Sequence, residues 1–276
     1  MSRAETFRLK RSEEIAKMHE AGRILGRCLE ELAAMVRPGI STDDLDRAAD
    51  TFIRQAGCIP GFLGYYDYPK SLCVSVNDEV VHGIPGSRVI RDGDLVSLDC
   101  GLILDGWWAD SGCSVACGPA TDEVQRLLDV TYQGLWRGIE AARPGNHIGD
   151  IGHAVQTYVE AQGFTVVRNY VGHGIGRNMH EPPQVPNYGQ PGTGNLLKAG
   201  YVLAIEPMVN AGAPDVHVLD DGWTVVTDDG RLACYFEHTV AVTDEGPRVL
   251  TLRPSELAEG RNATVVAGGE PPRTAA

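Results

Sequence analysis

Asp99, Asp110, Glu206 and Glu237 stand at matching points of two stretches that carry the same pattern. Residues 37–58 align with 143–164 at an offset of 106, with Arg, Pro, Gly, Asp, Ala, Thr and Gly identical across the window. Further on, His82-Gly83-Ile84 is echoed by His173-Gly174-Ile175. GDLVSLD, ending at Asp99, is echoed by GYVLAIE, ending at Glu206, and Asp110 in ADSGCSV by Glu237 in FEHTVAV. All the matches occur in the same order. Two half-domains facing each other across a pseudo-two-fold axis would bring the four acids to one centre. Carboxylates sharing a small dry space repel until they are protonated or meet cations. A divalent metal centre is therefore expected.

The local context of each acid supports this. Leu104-Asp105-Gly106-Trp107 has tight-hairpin chemistry between two strand-like runs. In that register Asp99 faces Gly112 and Asp110 lies two residues along the same face, so the carboxylates become diagonal neighbours roughly 7–8 Å apart at the backbone. Glu206 ends an apolar run before Pro207, where a buried acid is costly unless paired or metal-bound. Glu237 alone would read as a solvent-facing residue of an alternating strand; its partner acid argues otherwise. His173 lies among Gly172, Gly174 and Gly176, which permit close backbone approach. Its neutral imidazole suits a divalent transition metal, making it a candidate fifth ligand. His180 is near enough in sequence to face the same cavity. No Lys follows the glycines, so they are not a phosphate loop, and His180-Glu181 is not the zinc motif HExxH. A lone His82 beside an apolar strand would read as packing, but its symmetry with His173 turns it toward the cleft.

These residues need a frame to hold them. Ile15, Met18, Gly22, Leu25, Leu29 and Leu32 recur at helical spacing from a cap at Ser12 with Glu13 and Glu14 to the Arg37-Pro38-Gly39 stop. Ser41 and Asp44 cap a second helix closed by Gly57. The second half repeats the order, with helices from Thr121 to Arg143-Pro144-Gly145 and over about 150–162. Strands are expected at 72–76, 95–104 and 107–116, then at 165–168, 201–206, 223–227 and 233–242, with an ordered loop over 181–195. The plan reads as a fused duplication with one shared sheet system: a single large α/β domain over residues 1–252, with halves at about 12–117 and 121–250. Residues 253–276 are expected to form a disordered tail.

A net charge of -13 argues against nucleic acid or an anionic membrane as partner. Seven cysteines without a CxxC pair fit a reduced, cytoplasmic chain. The polar N-terminus is no signal peptide, and no apolar run approaches the ~20 residues of a membrane span. No heptad pattern is present, and a monomer is expected.

These residues match a family. The motifs YPKSLCVSVNDEVVHGIPG, LVSLDCGLILDGWWADSGCSV, YVGHGIGRNMHEPPQVPNYG, LAIEPMVN and DGWTVVTDDGRLACYFEHTVAVT resemble the type I methionine aminopeptidases, bacterial metalloenzymes of the pita-bread fold. The resemblance covers about residues 10–250. It implies an α+β pita-bread fold whose pseudo-two-fold helix-helix-strand halves surround a dinuclear metal site, with Asp99, Asp110, His173, Glu206 and Glu237 as ligands. It implies two divalent ions, with iron, manganese and cobalt as candidates, in a hydrolase that removes N-terminal methionine from nascent proteins when the second residue is small. By the same resemblance Glu206 moves the water proton to the leaving amine, His180 bonds the carbonyl oxygen, and His82 contacts the peptide nitrogen. The resemblance also nominates Tyr65, Tyr68, Cys73, Met179 and Trp223 as the methionine pocket, with Met179 departing from the aromatic often found there. Ribosome association is implied by resemblance only.

Two rivals compete with this reading. A proline-specific, prolidase-like peptidase of the same fold usually carries an extra N-terminal domain, and here helices begin at about residue 12. A non-catalytic binding protein would be free to lose ligands, yet all five and both histidines are present. No zinc-binding or proline-rich extension precedes the first helix, so the minimal form of the enzyme is expected. Since Ser2 is small, the chain should process its own Met1; intact mass of protein from a native host should show Met1 removed.

Overall fold

The computed structural model describes residues 8–261. In the first half, α1 (Ser12–Met35) and α2 (Thr42–Gln55) precede β1 (Ile59–Pro60), β2 (Cys73–Val76), β3 (Glu79–Val81), β4 (Leu95–Leu104) and β5 (Trp107–Ala116). In the second, α3 (Asp122–Ala141) and α4 (Ile148–Ala161) precede β6 (Thr165–Val166), β7 (Gly172–Gly174), β8 (Glu181–Val185), β9 (Val202–Ile205) and β10 (Met208–Asn210). Then come β11 (Val216–Val218), β12 (Val225–Thr227), β13 (Ala233–Tyr235), β14 (Glu237–Thr243), β15 (Gly246–Val249) and α5 (Pro254–Ala258).

The helices follow the expected periodicity. Ile15, Met18, Gly22, Leu25, Leu29 and Leu32 of α1 are all buried. The cap of α1 is Arg11, one residue before the expected Ser12, because the Glu14 carboxylate reaches back three residues to accept the Arg11 N–H at 2.9 Å. The duplication is visible in the caps of α2 and α4. Asp44 accepts from the Ser41 N–H at 3.1 Å, and Asp150 from the His147 N–H at 2.6 Å. Ser41 bridges to Val89, and His147 to Leu196. Arg37-Pro38-Gly39 and Arg143-Pro144-Gly145 both turn through a left-handed glycine, at φ 92° and 91°.

Nine strands form one large antiparallel sheet, ordered β1-β4-β5-β14-β9-β7-β8, with β2 also on β4 and β15 also on β14. The β4–β5 hairpin has the expected register, Leu104 opposite Trp107 and Asp99 opposite Gly112. Asp105 and Gly106 at its turn both have positive φ, the type I′ geometry that matches strand twist. One sheet face packs under the helices. Leu98 and Cys100 of β4, Leu203 and Ile205 of β9, and Val240 and Val242 of β14 join Leu25, Leu29, Leu135 and Ile139 in one core. The opposite face carries the acids.

Two expectations change. Residues 181–185 form β8 on the edge beside β7, where prolines are tolerated because the outer side of an edge strand needs no donors. Residues 253–261 are ordered, with Pro254 opening α5 and the Glu256 carboxylate accepting from the Arg253 N–H at 2.8 Å, from Tyr132 and from His238. Residues 262–276 lie outside the described residues. The short strands β1, β3, β7, β10, β11 and β15 lack enough length for a period to show.

Helix α1 lies directly on the chain after β15, and a Cβ at Gly22 would fall on the carbonyl oxygen of Leu250. Gly22→Ala should therefore lower unfolding stability by about 1–3 kcal/mol in urea titrations. Glu31→Ala, on the exposed face of the same helix, should cost less than about 0.5 kcal/mol.

Candidate metal centre

Strand register alone gathers the acids. Gly112 of β5 lies opposite Asp99 of β4 on one side and opposite Glu237 of β14 on the other, so the three form one row across the sheet. Asp110 is two residues along β5, on the same face. Ala204 of β9 lies opposite Thr239 of β14 and His173 of β7. Two residues from Ala204, just past the end of β9, Glu206 emerges on that face, as does Glu237 two residues from Thr239. All five sequence-nominated ligands therefore project from one face of one curled sheet.

Their donor atoms converge. Asp110, His173 and Glu237 each offer a ligand atom within 4.8 Å of the others, and all three residues are buried. His173 Nε2 lies 3.7 Å from an Asp110 carboxylate oxygen and 3.6 Å from one of Glu206. The His173 ring is oriented by its Nδ1, which donates to the Gly174 carbonyl at 2.9 Å and leaves the Nε2 lone pair facing the acids. Tyr235 donates to Glu237 at 2.6 Å, and Thr239 ties the Asp110 backbone through both its N–H and its carbonyl. Tyr235 and Thr239 were missed in the sequence. For Thr239, even spacing from Glu237 on the strand pattern was the available signal.

One oxygen each of Asp99, Asp110 and Glu237 is buried without a hydrogen-bond partner. Burial, reinforced by the Asp110 charge, holds Asp99, Glu206 and Glu237 well above the ordinary carboxylate range. Burial likewise keeps the Tyr235 hydroxyl protonated and donating. Orphaned carboxylate oxygens together with a ring nitrogen are a donor set that divalent cations fit.

Beside Asp99 opens a cavity of about 130 Å³, lined by Phe62, Tyr65, Tyr68, Cys73, Met179 and Trp223 among others. All five sequence-nominated pocket residues line it; Phe62 and Tyr66 were not foreseen, since neither belongs to a periodic pattern. Tyr68 packs edge-on against Trp223 at 5.0 Å, and its hydroxyl donates to the Leu72 and Gly83 carbonyls. Trp223 itself sits in a turn where the Asp221 carboxylate accepts from the Trp223 and Thr224 N–H groups at 2.8 Å. His82 and His180 stand at this cavity too. His180 lies with its ring 4.3 Å from that of His173 and its Nδ1 2.8 Å from the Tyr65 hydroxyl. Burial, then the neighbouring His173, pushes His180 down to about 4, so the ring is neutral at physiological pH. Burial also lowers the pKa of His82, which holds a left-handed φ of 61°.

The raised carboxyl groups give a test on metal-free protein. Groups protonated in the fold but ionised in the unfolded chain stabilise the fold below their ordinary pKa, and that stability is lost as pH rises toward their folded values. After chelation, the urea midpoint should fall as pH rises above the ordinary carboxylate range. With manganese restored it should stay level or rise, since cations bind the ionised acids.

Residues 16–244 match the family model described as metallopeptidase family M24. A methionine aminopeptidase of Clostridium perfringens is 52% identical over 244 residues, covering 88% of this chain and 98% of that protein. The crystal structure of a methionine aminopeptidase from Rickettsia prowazekii superposes with a TM-score of 0.88 at 41% identity, over 90% of this chain and all of that one. An Xaa-Pro dipeptidase from Bacillus anthracis superposes at 0.73 with 23% identity, which shows a shared fold, and this chain covers 62% of it. With its carboxylate and histidine donors on one face of a curled sheet, the chain belongs to metallopeptidase family M24, among the methionine aminopeptidases.

Proposed function

We propose that this protein removes the N-terminal methionine from peptides and nascent chains in the cytoplasm, preferring a small second residue. The observation that supports this reading is a buried cluster of Asp110, His173 and Glu237, with donor atoms within 4.8 Å of one another, near a cavity lined by Asp99 and by mostly apolar side chains. Asp99, Asp110, His173, Glu206 and Glu237 would hold two divalent ions, with iron, manganese or cobalt as candidates for a carboxylate-rich site with one imidazole. Bound there, the ions would supply Lewis acidity at the scissile carbonyl and lower the pKa of water toward neutrality.

The protein's own groups do the rest. Phe62, Tyr65, Tyr68, Cys73, Met179 and Trp223 enclose the methionyl side chain; an unbranched thioether suits walls of aromatic rings and sulfur. Glu206, drawn toward protonation by burial, accepts the proton of the attacking water and returns it to the leaving amine. His180 is neutral, and a Tyr65 hydroxyl donating to its Nδ1 leaves the Nε2 proton free for the carbonyl oxygen as negative charge develops. His82, across the cavity, contacts the peptide nitrogen on the leaving side. A prolidase-like activity draws on fold similarity alone, and a purely binding role leaves the desolvated acids without a use.

Chelated protein restored with manganese, iron or cobalt should release methionine from Met-Ala-Ser and little leucine from Leu-Ala-Ser. Glu206→Gln should abolish release. His180→Ala should lower kcat about 100-fold while bound metal is retained, the scale of losing one donor to a developing oxyanion. Trp223→Ala should act mainly on KM. Metal-loaded protein that releases no methionine under any of these conditions would sink the assignment in favour of a binding protein.

A further inference from the structure

Lys10 meets the loop beside the site through an ion pair with Glu181. Lys10 is fixed by its backbone N–H, which donates to the Gly200 carbonyl at 2.7 Å. Its ammonium donates to Glu181 at 2.6 Å, with the two side chains 5% and 16% exposed. The other Glu181 oxygen accepts from the backbone N–H groups of Arg177 and Asn178, at 2.8 and 3.2 Å. One carboxylate thus closes residues 177–181 into a ring, and that ring contains Met179 and His180.

The remaining contacts of this loop show why it needs such a clasp. The Gly176 carbonyl accepts from the Trp108 N–H at 2.9 Å, and the Arg177 guanidinium donates to the Asp105 and Gly106 carbonyls at the β4–β5 turn while lying 3.9 Å over the Trp107 ring. These hold the start of the loop; toward its end the Tyr65 hydroxyl holds the His180 ring at 2.8 Å, and Glu181 ties the backbone. A Cβ at Gly176 would meet Lys10 Cε at 2.6 Å and Glu181 Oε1 at 2.7 Å, so the glycine makes room for the ion pair beneath it. This gives Gly176 a purpose other than phosphate binding.

We infer that Glu181, anchored by Lys10, is a positioning residue that sets where the loop delivers Met179 to the side-chain pocket and His180 to the scissile carbonyl. This rests on the functional reading above. Glu181 touches no reacting atom; it acts through the loop, and misplacement on the scale of an ångström is enough to cost about 100-fold in rate.

The test compares manganese-loaded wild type with Glu181→Ala, Glu181→Gln and Lys10→Met/Glu181→Gln. Readouts are kcat and KM on Met-Ala-Ser and Leu-Ala-Ser, bound manganese, and hydrogen exchange at the Arg177 and Asn178 amides. Glu181→Ala should lose about 100-fold in kcat, keep its manganese, expose both amides to exchange and narrow the preference for methionine over leucine. Glu181→Gln alone should be intermediate, because its amide nitrogen faces the Lys10 ammonium. In the double variant methionine removes that conflict and the amide oxygen still accepts from both N–H groups, but without the ion pair behind it, so rate and protection should rise above Glu181→Gln and stay below wild type. Unchanged kcat and exchange in Glu181→Ala would overturn the inference. So would loss of manganese in step with activity, or a double variant no better than Glu181→Gln. A wild type that exchanges slowly at these amides but releases no methionine marks failure of the functional reading instead.

Discussion

The repulsion among carboxylates on one dry sheet face is the constraint on which this structure depends. Asp99, Asp110, Glu206 and Glu237 are held together by strand pairing, and each would separate if the ladder were free to slip. A one-residue slip in any strand would send its acid to the helix-covered face. The core under α1 and α3 specifies register strongly, because the same slip would expose Leu98, Leu203 or Val240 on the wrong side. Hydrophobic burial on one face thus holds like charges together on the other, leaving metal as the natural counterion.

Strand β14 shows this division most compactly. Glu237 points into the centre, where Tyr235 donates to it, and His238 points out, where its ring nitrogens lie 3.0 Å from the Thr251 hydroxyl and 3.1 Å from Glu256. Glu256 also takes the Tyr132 hydroxyl at 2.9 Å and an Arg253 N–H. Arg253 and His238 hold Glu256 well below the usual carboxylate range despite the opposing effect of burial. Residues 253–261, expected to belong to a disordered tail, are therefore packed against β14. Their order comes from a buried charge network assembled from α3, β14 and α5, three elements distant in sequence.

That contrast explains what could be read in the chain beforehand. The four long helices, the β4–β5 hairpin and the gathering of the carboxylates on one face were legible because each leaves a local mark: a 3.6-residue period, a turn dipeptide, or a carboxylate repeated at the same point of a duplicated pattern. The resemblance supplied the pocket residues and the roles, which periodicity alone left open. Phe62 and Tyr66 escaped notice because a cavity wall formed by an irregular loop has no period. Residues 181–185 read as loop because Pro182 and Pro183 suppress strand propensity, yet β7 needs a partner on that side and an edge position accepts them. Glu256 and Arg261 escaped because their burial depends on partners no local window contains.

The centre and the pocket also differ in how they are built, and this bears on how selectivity arises in the fold. Asp99, Asp110, His173 and Glu237 lie on paired strands and Glu206 directly follows one, held by packing on the opposite face. The walls of the cavity come largely from loops: Phe62, Tyr65 and Tyr68 between β1 and β2, Met179 between β7 and β8, and Trp223 between β11 and β12. Loops tolerate change that a two-faced sheet does not. A fold shared at 23% identity with an Xaa-Pro dipeptidase can keep its sheet while its loops diverge. In this chain those loops are fastened individually, by Asp221 under Trp223 and by Glu181 beneath Met179 and His180. The shape of the cavity is thus carried by a few hydrogen-bonded turns, each standing on a sheet whose register is fixed by hydrophobic packing on its other face.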